Sequence, residues 1–203
     1  YRSPAGVEYR SQPDTGPIAR AQAALSRDPR NVDLIIALGV AQSGAQQFRE
    51  AVETFSRGLA IAPGHAMLYR WRGHRYLSLR EFDKAQADLT RALEIDPANY
   101  GALFHLGIIR FIRGDFPAAA DLFRRAQPVA PDPGELAVST DWRWMSLARA
   151  GRMTEAQQML DQRPDSLPVD PNYSYARRLA LYRGVPQPGH LLRDGDDEIT
   201  VAT

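Results

Sequence analysis

The 203-residue sequence contains no cysteine, so disulfides, thiolate metal sites and a cysteine nucleophile are all excluded. It contains one lysine, Lys84, against abundant arginine, a bias that a GC-rich bacterial genome explains without any functional role. Charge of one sign is also missing. Twenty-five basic residues stand against 24 acidic ones for a formal net charge of +1, leaving few spare cations to neutralise a phosphate backbone. Nucleic acid is therefore not an expected partner. No apolar run is long enough to cross a bilayer, so membrane insertion is not expected either, and no signal-peptide core is visible. The chain begins at Tyr1 and not at methionine, the mark of a processed or excised chain, which leaves export open and the compartment unassigned. The four histidines, His65, His74, His105 and His190, lie in no recognisable nucleophile motif, phosphate loop or zinc helix, so neither an enzyme nor a cofactor is expected.

What the sequence does contain is a period. Gly39, Gly73 and Gly107 recur at one constant interval, and the same interval separates Phe48, Phe82 and Phe116, then Ala51, Ala85 and Ala119, and then Pro63, Pro97 and Pro131. A fixed period of this length is the signature of stacked supersecondary units. In the second half of each unit, Phe82, Ala85, Leu89 and Ala92, and again Phe116, Ala119, Phe123 and Ala126, recur at three- and four-residue steps, which puts them on one face of a helix. Glycine inside a helix costs about 1 kcal/mol, so three in register imply close helix packing. The prolines end the second helices, since proline cannot continue a helix from behind. Each unit thus reads as an amphipathic helical hairpin.

The units begin VDLIIALG, AMLYRWRG and YGALFHLG and end LAIAP, LEIDP and QPVAP. The Leu-Gly of the first helix, the aromatic after the turn, the alanine three residues on and the closing proline resemble the tetratricopeptide repeat family. The resemblance implies an all-α fold, a right-handed α-solenoid of antiparallel helix hairpins. The expected division is a flexible tail over 1–15, a capping half repeat over 16–31, repeats over 32–65, 66–99 and 100–133, and a divergent repeat over 134–169. An additional helix over 170–184 follows, started by Asp170 and Pro171 and stopped by Gly184, then a C-terminal segment over 185–203 that reads as the start of a truncated further repeat. The fourth unit carries a three-residue insertion, and Thr154 with Gln157 has the spacing of a capping box.

The resemblance further implies a non-enzymatic protein–protein interaction module whose first helices line a concave groove. The groove positions carried over from the family are Ile36 and Val40, then Arg70, Trp71, His74 and Leu77, then Phe104, His105, Ile108 and Phe111, and finally Asp141, Trp142 and Met145. The expected partner is another protein or peptide, with self-association into a homo-oligomer through the chain's own C-terminal segment as the first alternative and RNA as a weaker one. Aromatic residues at these positions read equally as contact surface or as packing. The carboxylate clamp of some family members is incomplete here: Ile36, Val40 and Trp71 occupy one set of clamp positions, and Val138 and Trp142 stand where half of a shifted set belongs. The narrower expectation is that Arg70, His74 and His105 hold one anionic group, with Phe104 and Phe111 beside it. Arg72 stands where the other units carry Leu38 and Leu106, so it must find a carboxylate or reach solvent.

Overall fold

In a computed structural model of the protein, residues 16–162 and 174–184 are described. The expected tail over 1–15, the helix start at Asp170 and Pro171 and the segment over 185–203 lie outside these residues. Among the described residues every regular element is helical: α1 (Pro17–Arg27), α2 (Val32–Gly44), α3 (Phe48–Ile61), α4 (Ala66–Ser78), α5 (Phe82–Ile95), α6 (Tyr100–Ile112), α7 (Phe116–Ala126), α8 (Pro133–Arg149), α9 (Met153–Asp161) and α10 (Ser174–Tyr182). A 3-10 turn spans Gln127–Val129.

Local chemistry accounts for the helix starts. The side-chain carbonyl oxygen of Asn31 accepts from the backbone N–H groups of Asp33 and Leu34, Asp115 accepts from Ala118, and Asp132 accepts from Glu135. Each bond satisfies donors that the first helical turn leaves without an intrahelical partner. Pro17, Pro117 and Pro133 fall in the first turns of α1, α7 and α8, where a missing N–H costs nothing. The α6–α7 and α8–α9 turns place Gly114 and Gly151 at positive φ. The corresponding α2–α3 and α4–α5 positions hold Gln46 and Arg80 at φ 58° and 60°, a conformation that disfavours a side chain.

The chain divides into two compact units between His105 and Leu106, inside α6. In the first, consecutive helices α1 to α5 pack pairwise around a core of Ile18, Leu25, Ile35, Leu38, Phe55, Leu59 and Leu68. Gly39 has the packing role its register implies. A Cβ there would sit 2.5 Å from Phe55 Cζ and closer still to Cε1, while at Gly73 it would lie 2.8 Å from Leu89 Cγ. Phe55 and Leu89 are both fully buried. Arg72 finds its carboxylate: its Nε and Nη2 donate to Asp88 at 2.7 and 2.8 Å, and its Nη1 donates to Ser56 Oγ at 3.0 Å. The Asp88 hydrogen bonds raise the Arg72 pKa against the opposing effect of burial.

The second unit repeats the wedge, with a Cβ at Gly107 falling 2.8 Å from Phe123 Cε1 and Cζ. Helix α8 packs on α7 and α9, and α10 packs on α8 around Ala137, Leu147, Ala156, Leu160 and Leu179. The three-residue insertion is accommodated inside a helix, since α8 has 17 residues where α2, α4 and α6 have 13. Two sequence readings are corrected here. Thr154 does not cap α9, which already starts at Met153 behind an N-cap at Arg152 that makes no side-chain bond. Asp141 is not a groove residue: it is fully buried, accepting from Arg178 Nε and Nη2 at 3.1 and 2.8 Å. Because α10 covers this part of α8, a carboxylate there must be paired.

Candidate functional site

The expected contact residues of the first unit come from α2, α4 and the start of α6. Ile36 is half-buried against the core, and Val40 is exposed. Side chains of α3, α4 and α6 form a ladder of rings. Phe55 stacks on Trp71 at 6.4 Å, Trp71 on His74 at 6.2 Å, and the His74 and His105 rings lie 3.8 Å apart. Phe104 meets His105 edge-on at 5.5 Å and stacks on Tyr100 at 5.9 Å. The Arg70 guanidinium carbon lies 3.8 Å from the Trp71 ring centre, close enough for strong cation–π attraction. Trp71, His74, Phe104 and His105 are half-buried.

Spacing explains the ladder. Trp71 and His105 occupy the same register in consecutive units, while His74 stands one turn after Trp71 on α4. Side chains at three- and four-residue steps share a helix face, so the rings of neighbouring first helices meet. Gly101 makes the arrangement possible: a Cβ there would lie 2.7 Å from Arg70 Cζ, so a side chain at this position would displace the guanidinium from the ladder.

The electrostatics changes the role of the histidines. Burial, then the neighbouring charge of His105, Arg75 and Arg70, pushes the His74 pKa far below its ordinary value. Burial and then Arg70 push His105 down to about 3, against a hydrogen bond to Gly101 and with a further contribution from Arg75. Both rings are thus neutral at physiological pH. They cannot supply the positive charge expected of them from the sequence, and that charge resides on arginine. His105 Nδ1 lies 2.5 Å from the Gly101 carbonyl oxygen, which only accepts, so Nδ1 carries the proton and Nε2 is the acceptor.

Sequence reading missed Arg75. It is 7% exposed, with its guanidinium 5.1 Å from the Phe48 ring, and its Nε is enclosed without a hydrogen-bond partner. Burial and then Arg70 lower its pKa to about 10. The one available signal was its register, since the equivalent positions of the preceding and following units hold the apolar Ala41 and Ile109.

In the second unit Phe111 and Trp142 come together, edge to face at 5.2 Å, and Trp142 stacks on Phe123 at 5.9 Å. Phe111 also meets Phe116 at 5.2 Å, with Arg149 over the Phe116 ring. Ile108 and Met145 are half-buried and enter no ring contact of this cluster.

Residues 72–135 match the family model described as Tetratricopeptide repeat. The chain is 23% identical over 97 residues to Small glutamine-rich tetratricopeptide repeat-containing protein 2 of Saccharomyces cerevisiae, covering 48% of this chain and 28% of that protein. It is 30% identical over 83 residues to Hsc70-interacting protein 1 of Drosophila melanogaster, covering 41% of this chain and 22% of that protein. It therefore spans less than a third of the length of either relative. Among solved structures, MamA aligns at a TM-score of 0.60 with 19% identity over 71% of this chain and 77% of its own. YrrB, described as "a TPR protein with an unusual peptide-binding site", aligns at 0.55 with 22% identity over 71% and 73%. At these identities the structures speak for the fold alone: an all-α solenoid of antiparallel helix hairpins. The matched family model assigns residues 72–135 to the tetratricopeptide repeat, and with the fixed period and the glycine wedges in agreement the chain as a whole is similar to the tetratricopeptide repeat proteins.

Proposed function

We propose that the chain is a non-enzymatic interaction module that binds a segment of a partner protein, a peptide or a helix, on the α4 face and the start of α6 in its first unit. The observation that supports this is the ring ladder. Trp71, His74, Phe104 and His105 are half-buried, aromatic or ring-bearing, and bordered by the cation of Arg70. Aromatic residues and arginine dominate the binding energy of protein interfaces because they bury large area at low conformational cost. Neutral imidazoles fit the same role, adding polar groups without the desolvation penalty of a charge. Ile36 and Val40 extend the face along α2, and Ile108, Phe111, Trp142 and Met145 form the corresponding contact set of the second unit.

The test is selection of binding peptides from a random display library, followed by affinity measurement against wild type and a Trp71→Ala/Phe104→Ala variant whose helicity is checked by circular dichroism. Loss of a truncated aromatic anchor costs about 2 kcal/mol or more, so the double variant is expected to bind at least ~30-fold more weakly. Equal binding by a folded double variant would move the site off this face.

A further inference from the structure

A first helix of this fold packs on the second helix before it, as α4 does on α3 and α8 on α7. Helix α10 departs from that order. It lies chiefly against α8, itself a first helix, and reaches α9 through Arg183, whose Nη2 donates to the Leu160 carbonyl at 2.9 Å. It therefore covers a face of α8 and does not simply continue the repeat. The covered position has a register. Asp141 precedes its positive-φ turn residue, Gly151, by the same interval that separates Ile36 from Gln46, Arg70 from Arg80 and Phe104 from Gly114. First helices present such positions to partners in helical solenoids, and here α10 closes the position off.

The contacts that hold α10 are those of a bound helix. Arg178 donates to both Asp141 carboxylate oxygens at 3.1 and 2.8 Å, and Tyr182 stacks on Trp144 with ring centres 3.7 Å apart and planes 6° apart. Leu179 enters the apolar cluster with Leu147 and Leu160. The fit is incomplete, because Trp144 Nε1 is enclosed without an acceptor and forfeits the hydrogen bond that water would give it. With nine residues, α10 is also too short to persist as a helix in water, so its helical form depends on docking. An occupant that leaves a donor unpaired and needs the site for its own structure yields to one that does neither. We propose that α10 is an autoinhibitory helix on α8, displaced by an amphipathic helix of a partner protein that offers an arginine to Asp141, an apolar side chain to the Leu147 and Leu160 cluster, and a hydrogen-bond acceptor to Trp144. The acceptor gives the partner its advantage over a tethered competitor, since covalent attachment holds α10 at an effective concentration on the order of mM. The site belongs to the second unit and is independent of the α4 face.

The experiment uses the full chain, with a synthetic peptide of residues 172–184 as the probe and the Trp144 indole N–H followed by NMR; the Trp71 indole N–H reports separately on the α4 face. Arg178→Glu sets a carboxylate against Asp141 and releases α10, and this variant is expected to bind the peptide at least ~10-fold more tightly than the wild type, whose site is filled. Tyr182→Ala, which removes the ring stack and keeps the ion pair, is expected to fall between them. An Arg178→Ala peptide is expected to bind the Arg178→Glu chain at least ~10-fold more weakly than the unaltered peptide. Equal affinity of all three chains, equal affinity for both peptides, or unfolding of both variants without binding, as a purely structural cap requires, would each overturn the site. Helices selected from a display library on the Arg178→Glu chain and eluted with the peptide are then added to the wild type. Those that displace α10 are expected to carry an arginine and to move the Trp144 resonance downfield as its N–H gains an acceptor. Displacement without an arginine, or with that resonance unmoved, would overturn the partner's chemistry, and no displacement by any selected helix would overturn autoinhibition.

Discussion

Replacing Gly39 with alanine adds one methyl group against the ring of Phe55, at 2.5 Å from Cζ and less from Cε1, where ordinary van der Waals contact needs more than 3.4 Å. The ring has no room to yield, because Phe55 is fully buried between α2 and α3. Overpacking of this kind costs about 1–3 kcal/mol, and a clash with a rigid ring belongs at the upper end. Alanine returns about 1 kcal/mol through its better helix propensity. The net expectation is a loss of about 2 kcal/mol, or about 4–8 °C in Tm for a chain of this size. Gly44 lies in the same helix with nothing within 4 Å of an added Cβ, so Gly44→Ala is expected to leave Tm unchanged or raise it. The repeat supplies its own compensation: in the next unit the partner of Gly73 is Leu89, which stands in the register of Phe55. Combining Gly39→Ala with Phe55→Leu is therefore expected to recover about 1 kcal/mol relative to the sum of the single variants, since contacting sites are not additive. Thermal unfolding followed by circular dichroism reads each of these proteins. A Gly39→Ala variant as stable as wild type, or a zero coupling in the cycle, would refute the wedge as the reason for the glycine register.

Arg72→Leu alone strands the buried Asp88 carboxylate and is expected to cost about 2–3 kcal/mol, whereas Arg72→Leu/Asp88→Leu installs the Leu106 and Leu122 pair of the following repeat and is expected to return to within about 1 kcal/mol of wild type by urea unfolding. His105 titrates near 3 in the folded chain and near 6.5 when unfolded, so the unfolded state takes up the proton first. The stability its neutral ring confers is complete above about pH 6.5 and is lost as pH falls toward about 3, and His105→Gln should flatten the stability–pH slope between pH 6 and 4; an unchanged slope would contradict a neutral ring. Asp141→Ala leaves Arg178 unmatched beside a buried site, and loss of the pair is expected to free α10 from α8. Hydrogen exchange over residues 174–184 should then accelerate at least ~30-fold, as loss of about 2 kcal/mol or more of docking energy requires, while exchange in α2 to α5 stays unchanged.

The sequence by itself determined the repeat unit and its packing logic. A glycine, an aromatic, an alanine and a proline returning at a fixed interval are readable because each acts locally or within its own hairpin: the proline ends a helix, and the glycine admits the side chain sixteen positions later. The Arg72 exception was legible for the same reason, as a charge at a packing register requires a partner and Asp88 stands sixteen positions on. Contacts between hairpins were not legible. Whether Asp141 faces a ligand or a helix depended on where α10 packs, and the sequence carries no rule for that distance. Likewise Thr154 and Gln157 had the spacing of a cap, but the helix boundary fell before them. The charge state of His74 and His105 was decided only when tertiary packing enclosed both rings beside two guanidinium groups, because desolvation depends on every element around a group and not on its neighbours in sequence. Arg75 shows the division most clearly: the period marks it as a departure from Ala41 and Ile109, while only the folded structure buries it with no partner for its Nε.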